Sequence, residues 1–205
     1  MVFELRSYVL RPGSVAETLR RFQEVLPHRL GFSTMAGLWA TRSGNLDQIF
    51  HLWPYESVQE RMDVRAAAAA SGVWPPKIRD FMVEADSWIV VPHSSAPPII
   101  PRGVGSCYEI CIDHYVPGGI EDMLPEWLEK VQTRAELASL VTYGRTEIGS
   151  LYQWVHIWAY ESVAQRERVM DELEATGQWP LAAGRDKLLK RQSTLVKPVD
   201  FSPLR

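Results

Sequence analysis

Cysteine is scarce: two residues in 205, Cys107 and Cys111. They fall four positions apart on one expected strand. At about 3.3 Å per residue their Cα atoms lie about 13 Å apart, beyond disulfide reach. No Cys/His pair with zinc-site spacing follows them. Packed thiols in a reducing, cytoplasmic protein are therefore expected. The chain also lacks any run of about 20 apolar residues, so no helical membrane span is expected. Near the start, Glu4 and Arg6 interrupt what would be the apolar core of a secretory signal. A net charge of −3 offers no attraction to nucleic acid or to an anionic membrane. There is no Gly-x-Gly-x-x-Gly or P-loop pattern, which argues against a dinucleotide or NTP site. There is no Gly-x-Ser-x-Gly elbow either. Nor do the histidines have neighbours that would complete a metal site.

What is present is a repeat. His51-Leu52-Trp53-Pro54-Tyr55-Glu56-Ser57-Val58 returns 105 residues later as His156-Ile157-Trp158-Ala159-Tyr160-Glu161-Ser162-Val163. The same offset pairs Glu4 with Glu109, Pro12-Gly13 with Pro117-Gly118, Gln48 with Gln153, Arg61 with Arg166, and Trp74-Pro75 with Trp179-Pro180. That period is too long for a solenoid unit of roughly 20–50 residues and matches a small domain. Two homologous domains are expected, over 1–92 and 106–205. A Pro- and Gly-rich linker over 93–105 joins them.

Patterning within a copy sets the elements. Val2 to Leu10 alternates, with Phe3, Leu5, Ser7 and Val9 on one face and Glu4, Arg6 and Tyr8 on the other. Ser14 with Glu17 predicts a capping box for a helix through Leu26, which Pro27 or Gly31 limits. Leu38 to Arg42 and Gln48 to Tyr55 predict a hairpin about Gly44-Asn45. Ser57 with Glu60 caps the next helix, and Ser162 with Gln165 repeats the cap. Pro75-Pro76 predicts a short helix to about Ala85, and Trp88 to Val91 a fourth strand. The order strand, helix, strand, strand, helix, strand is the ferredoxin-like split βαβ. The fold class expected is α+β: two such domains whose antiparallel sheets pair.

Phe3-Glu4-Leu5-Arg6, Arg11-Pro12-Gly13, Gly44-Asn45-Leu46-Asp47-Gln48, the central stretch and Phe201-Ser202-Pro203-Leu204 resemble the pattern of the NIPSNAP family. The resemblance covers both copies. It departs in the second, where Cys111 replaces Arg6 and Tyr152 replaces Asp47. It implies a dimeric-type α/β barrel, here built from the two halves of one chain. A monomeric pseudo-dimer or a homo-oligomer of it would satisfy that. The wider barrel group implies cofactor-independent monooxygenase, isomerase or lyase chemistry on small aromatic or polyketide-like substrates. No cofactor is expected, haem held by one histidine being the exception this resemblance leaves open.

Strand alternation places His51, Trp53 and Tyr55 on one face, with His156, Trp158 and Tyr160 as counterparts. The first strands add Glu4, Arg6 and Tyr8, or Glu109, Cys111 and Asp113. A functional reading makes His51 or His156 a general base. In it Arg6 pairs with an enolate or carboxylate, and Glu4 or Glu109 becomes an acid or base through a raised pKa. Tyr8, Trp53, Tyr55, Glu109, Asp113, Trp158 and Tyr160 would then line a binding site for a small apolar or aromatic molecule. The structural alternative makes the histidines satisfied core groups, the indoles packing, and the glutamates ion-pair partners. A single active pocket belongs in the first copy, which keeps the arginine. Binding of a small molecule and acid/base catalysis both remain open at this level.

Overall fold

The computed structural model describes residues 1–100 and 103–205. Pro101 and Arg102, part of the expected linker, lie outside the described residues. The first copy runs β1 (Val2–Leu10), α1 (Val15–Leu30), β2 (Gly37–Thr41), β3 (Gln48–Tyr55), α2 (Val58–Ala70) and β4 (Met82–Pro92). The second runs β5 (Cys107–Tyr115), α3 (Gly119–Leu137), β6 (Ser139–Ile148), β7 (Gln153–Tyr160), α4 (Val163–Ala175), a short 3-10 turn at Arg185–Lys187 and β8 (Leu188–Pro198).

The strands close into one barrel in the order β1-β3-β2-β8-β5-β7-β6-β4. Each copy contributes a ferredoxin-like sheet, and two seams join them, β2 with β8 and β4 with β6. The second seam depends on Gly144, opposite Pro92. A Cβ at Gly144 would stand 2.2 Å from the Val91 carbonyl oxygen, so any larger residue would push the strands apart. The tail returns to the first copy: Leu204 N–H donates to Ala36 O at 3.0 Å, and Leu38 N–H to Ser202 Oγ at 2.9 Å.

The barrel is solid. Phe3, Leu5, Phe50 and Leu52 meet Val155 and Ile157 inside it, all buried. Each fully buried side chain of this kind stabilises the fold by about 1.5–3 kcal/mol. Period-two alternation sends the neighbouring residues outward, under the helices. Glu4, Arg6, Tyr8, His51, Trp53 and Tyr55 therefore sit between sheet and helix, outside the barrel proper.

Several local expectations need correction. Ser14 makes no side-chain cap; its hydroxyl donates to Arg11 O at 2.6 Å instead. Glu17 is taken by Arg20 and Arg21. Pro27 lies inside α1, which ends at Gly31. No helix follows Pro75-Pro76; that stretch is turn, and β4 starts six residues before Trp88, at Met82. Ser57 and Ser162 do cap α2 and α4, accepting from Glu60 N–H at 3.0 Å and Gln165 N–H at 3.1 Å. Among the described residues no helix is long and apolar enough to cross a membrane.

Candidate functional site

A cavity of about 350 Å3 opens between the first copy's sheet and its helices. His51, Glu4, Trp53 and Tyr55, all buried, form its inner wall. Arg65 from α2 and the Trp74 to Met82 stretch form its mouth. The outward faces of β1 and β3 thus meet the Pro75-Pro76 segment, where the sequence predicts a helix and the structure has a turn.

His51 is fixed by a residue two positions along its own strand. The Trp53 indole Nε1–H donates to His51 Nδ1 at 2.5 Å. Indole nitrogen is a donor only, so Nδ1 must be the bare nitrogen and the proton sits on Nε2. Burial pushes the His51 pKa well below its usual range, and the charges of Arg6, Arg65 and Arg29 add to that. His51 is therefore a neutral imidazole presenting an N–H, and that Nε2 has no hydrogen-bond partner. The general-base role expected of it does not fit: a neutral ring with Nδ1 occupied offers no lone pair to the cavity. His156 repeats the geometry, with Trp158 Nε1–H on its Nδ1 at 2.8 Å.

The glutamates also depart from expectation. Burial alone would raise the Glu4 pKa, but the Arg61 hydrogen bond at 2.5 Å, the Arg6 charge and the Ser87 hydroxyl at 2.7 Å outweigh it and hold it below the usual value. For Glu109 burial is again opposed, by the Arg134 charge and by hydrogen bonds from Arg166 and Ser193, and its pKa falls to about 2. Both are carboxylates near neutral pH, not acids poised to give a proton. All these bonds to Glu4 converge on Oε1; Glu4 Oε2 is buried without a partner.

Four arginines line the cavity, Arg6, Arg29, Arg65 and Arg79, against the one carboxylate of Glu4. Arg29 lies over the Trp53 ring at 4.4 Å and donates to Tyr55 OH at 3.0 Å. Tyr8 packs edge-on to His51, ring centres 4.9 Å apart, and burial raises its phenol pKa. Periodicity missed Arg29, Arg65, Arg79, Trp74, Ile78 and Met82. Arg29 was discoverable, because Arg134 matches it at the same repeat offset. Arg65 had no such signal, since Met170 stands at its counterpart.

The second copy carries the same frame with different filling. Trp127 stands where the first copy has Phe22, and its ring lies 4.7 Å from His156 and 5.2 Å from Trp179. Arg134 lies over both Trp158 and Trp179. Glu109, Asp113, Trp158 and Tyr160 come together there, but as a packed cluster apart from the first copy's cavity. Cys111 is buried, and burial pushes its thiol pKa well up.

The NIPSNAP family model matches residues 3–97 and again 108–203. The chain belongs to the NIPSNAP family. Human "Protein NipSnap homolog 3A" is 27% identical over 99% of this chain and 85% of its own length. Among solved structures, a putative monooxygenase from Fusobacterium nucleatum aligns with TM-score 0.68 and 9% identity, over 97% of this chain and 92% of that one. An anthrone oxidase-like protein aligns with TM-score 0.66 and 10% identity, over 98% and 93%. At such identities these two establish the shared α/β barrel alone. The NIPSNAP-like motifs now have places: Phe3-Glu4-Leu5-Arg6 sends Glu4 and Arg6 into the cavity wall, and the central stretch sends His51, Trp53 and Tyr55. Among the described residues no group of three or more His, Cys, Asp or Glu is placed to hold a metal ion.

Proposed function

We propose that the chain binds a small, largely apolar or aromatic molecule bearing an anionic oxygen, in the cavity of the first copy. One observation carries this: four arginines and His51, whose neutral Nε2–H is buried without a partner, line a cavity whose single carboxylate is already committed through Oε1. Buried donors without acceptors are costly, and arginine suits carboxylate and enolate oxygens. Trp53, Trp74, Ile78 and Met82 supply apolar walls, and the volume suits a small ligand.

Benzoate is a direct probe, followed by tryptophan fluorescence, with Phe22→Trp as the control. That change copies Trp127 and fills the space beside His51 and Trp74. Saturable binding to the intact protein that Phe22→Trp removes supports the reading. Binding that survives Phe22→Trp unchanged places the ligand elsewhere and overturns it.

A catalytic reading has one observation in its favour: the residues lining one cavity include an unpartnered carboxylate oxygen, Glu4 Oε2, and a neutral N–H donor of the kind that suits a developing enolate oxygen. The lowered Glu4 pKa makes it a weak base, so binding stands first. Oxygen consumption with a cofactor-free aromatic substrate panel would reverse that order.

A further inference from the structure

The second copy shows which groups satisfy this frame when it is closed. Oε1 of each glutamate is held alike: Glu109 by Arg166 at 2.6 Å and Ser193 at 2.6 Å, Glu4 by Arg61 at 2.5 Å and Ser87 at 2.7 Å. The other oxygens differ. Glu109 Oε2 accepts from Arg134 at 2.7 Å and Tyr160 OH at 3.1 Å. Glu4 Oε2 accepts nothing, because Arg29 gives its bonds to Tyr55 OH and Ser33 Oγ. The imidazoles differ in the same way. His156 Nε2 faces Asp113 Oδ2 at 3.9 Å, while His51 Nε2 faces none, since Tyr8 replaces that aspartate. The first copy is therefore short of two things its twin supplies internally: an anionic oxygen at the imidazole and a hydrogen-bond donor at the carboxylate.

We infer that the ligand brings both, and is a compact hydroxy acid with an aromatic or similarly flat apolar body. Its carboxylate takes the place of Asp113 in the twin, accepting from His51 Nε2–H and drawing on Arg6 and Arg65. Its hydroxyl takes the place of the Arg134 and Tyr160 donors, donating to Glu4 Oε2. Glu4 is paired with Trp53 and Arg6 with His51 in the ladder, so Glu4 and His51 are diagonal neighbours, about 7–8 Å apart at Cα. The indoles of Trp53 and Trp74 flank the space. This inference rests on the anion-binding reading above and adds the second polar group.

The test compares para-hydroxybenzoate, benzoate, para-methoxybenzoate and methyl para-hydroxybenzoate on the intact protein by titration calorimetry. The hydroxy acid is expected to bind roughly tenfold tighter than the two acids without a donor, and tighter than the ester by at least as much. Glu4→Gln should erase the advantage of the hydroxyl. Should that variant not fold, Tyr8→Asp serves: it installs the twin's carboxylate, so benzoate binding falls while phenol binding persists. Equal affinity for all three acids overturns the hydroxy-acid inference and leaves the anion-binding reading standing. Binding of the ester as tight as the acid, or no binding of any probe at about 10 mM, overturns both.

Discussion

Beside His51 stand Phe22 and Tyr8; beside His156 stand Trp127 and Asp113. Those two exchanges separate an open half from a closed one. The shared parts, the Trp-to-imidazole bond, the serine and arginine on the glutamate Oε1, and the arginine over the strand indole, belong to the architecture. They recur whether or not a cavity exists. What is peculiar to the open half is polar deficit: Glu4 Oε2 and His51 Nε2 lack the partners that Glu109 and His156 have. A duplicated chain supplies its own control here. Residues that recur in both halves are explained by folding, and residues that differ around the same frame are the ones to interrogate for function.

The largest expected difference lies at the two glutamates. Glu109→Ala leaves Arg134 buried without its carboxylate, at 1% side-chain exposure. Removing one partner of a buried pair costs about 3–5 kcal/mol. Glu4→Ala should cost clearly less, because its cations Arg6, Arg61 and Arg65 keep 16%, 18% and 40% exposure and reach water. Urea unfolding of both variants measures this. Equal losses would remove the distinction between a closed and an open half.

How much of this was legible beforehand follows from what periodicity can encode. The repeat, the strand faces and the caps at Ser57 and Ser162 were readable, because each rests on local spacing. The solid barrel interior was not, since alternation says that two faces differ but not which one meets the other sheet. Trp74 to Met82 was misread because Pro75-Pro76 suggests a helix start, whereas the stretch is a turn that walls the cavity. The roles of the charged residues were the least legible. Glu4 and Glu109 looked like candidates for raised pKa values on burial, and the arginines that prevent it arrive from α2, α3 and α4, far along the chain.

Acid titration sharpens the comparison next. Both buried histidines have lowered pKa values, so below the usual 6.5 the unfolded chain takes protons that the folded one refuses. Stability therefore falls as pH drops from there, by up to about 1.4 kcal/mol per unit for each histidine. The carboxylates act in a lower window. Glu109, at about 2 folded against 4.5 unfolded, contributes stability present above 4.5 and lost as pH falls toward 2, in total roughly 3 kcal/mol. Denaturation midpoints measured from neutral pH downward should show a first decline that His51→Gln flattens and a second that Glu109→Gln flattens. A single decline confined below 4.5 would mean that His51 and His156 both take up protons in the folded protein, which a neutral His51 excludes.

The smallest effect isolates the aspartate. Burial lowers the His156 pKa, and the nearby Asp113 carboxylate offsets part of that. His51 has no such partner and is lowered further, with Arg6, Arg65 and Arg29 all opposing its protonation. Asp113→Asn should cost little stability, about 1 kcal/mol, because its other partner, Arg191, is 37% exposed and readily hydrated. Its signature is in titration. The His156 resonance should move to lower pKa, toward the behaviour of His51, while Tyr8→Asp should move His51 upward. If Asp113→Asn leaves His156 where it was, the aspartate does not act on the imidazole. A ligand carboxylate then has no precedent in the twin, and the case for an anion at His51 rests on the arginines alone.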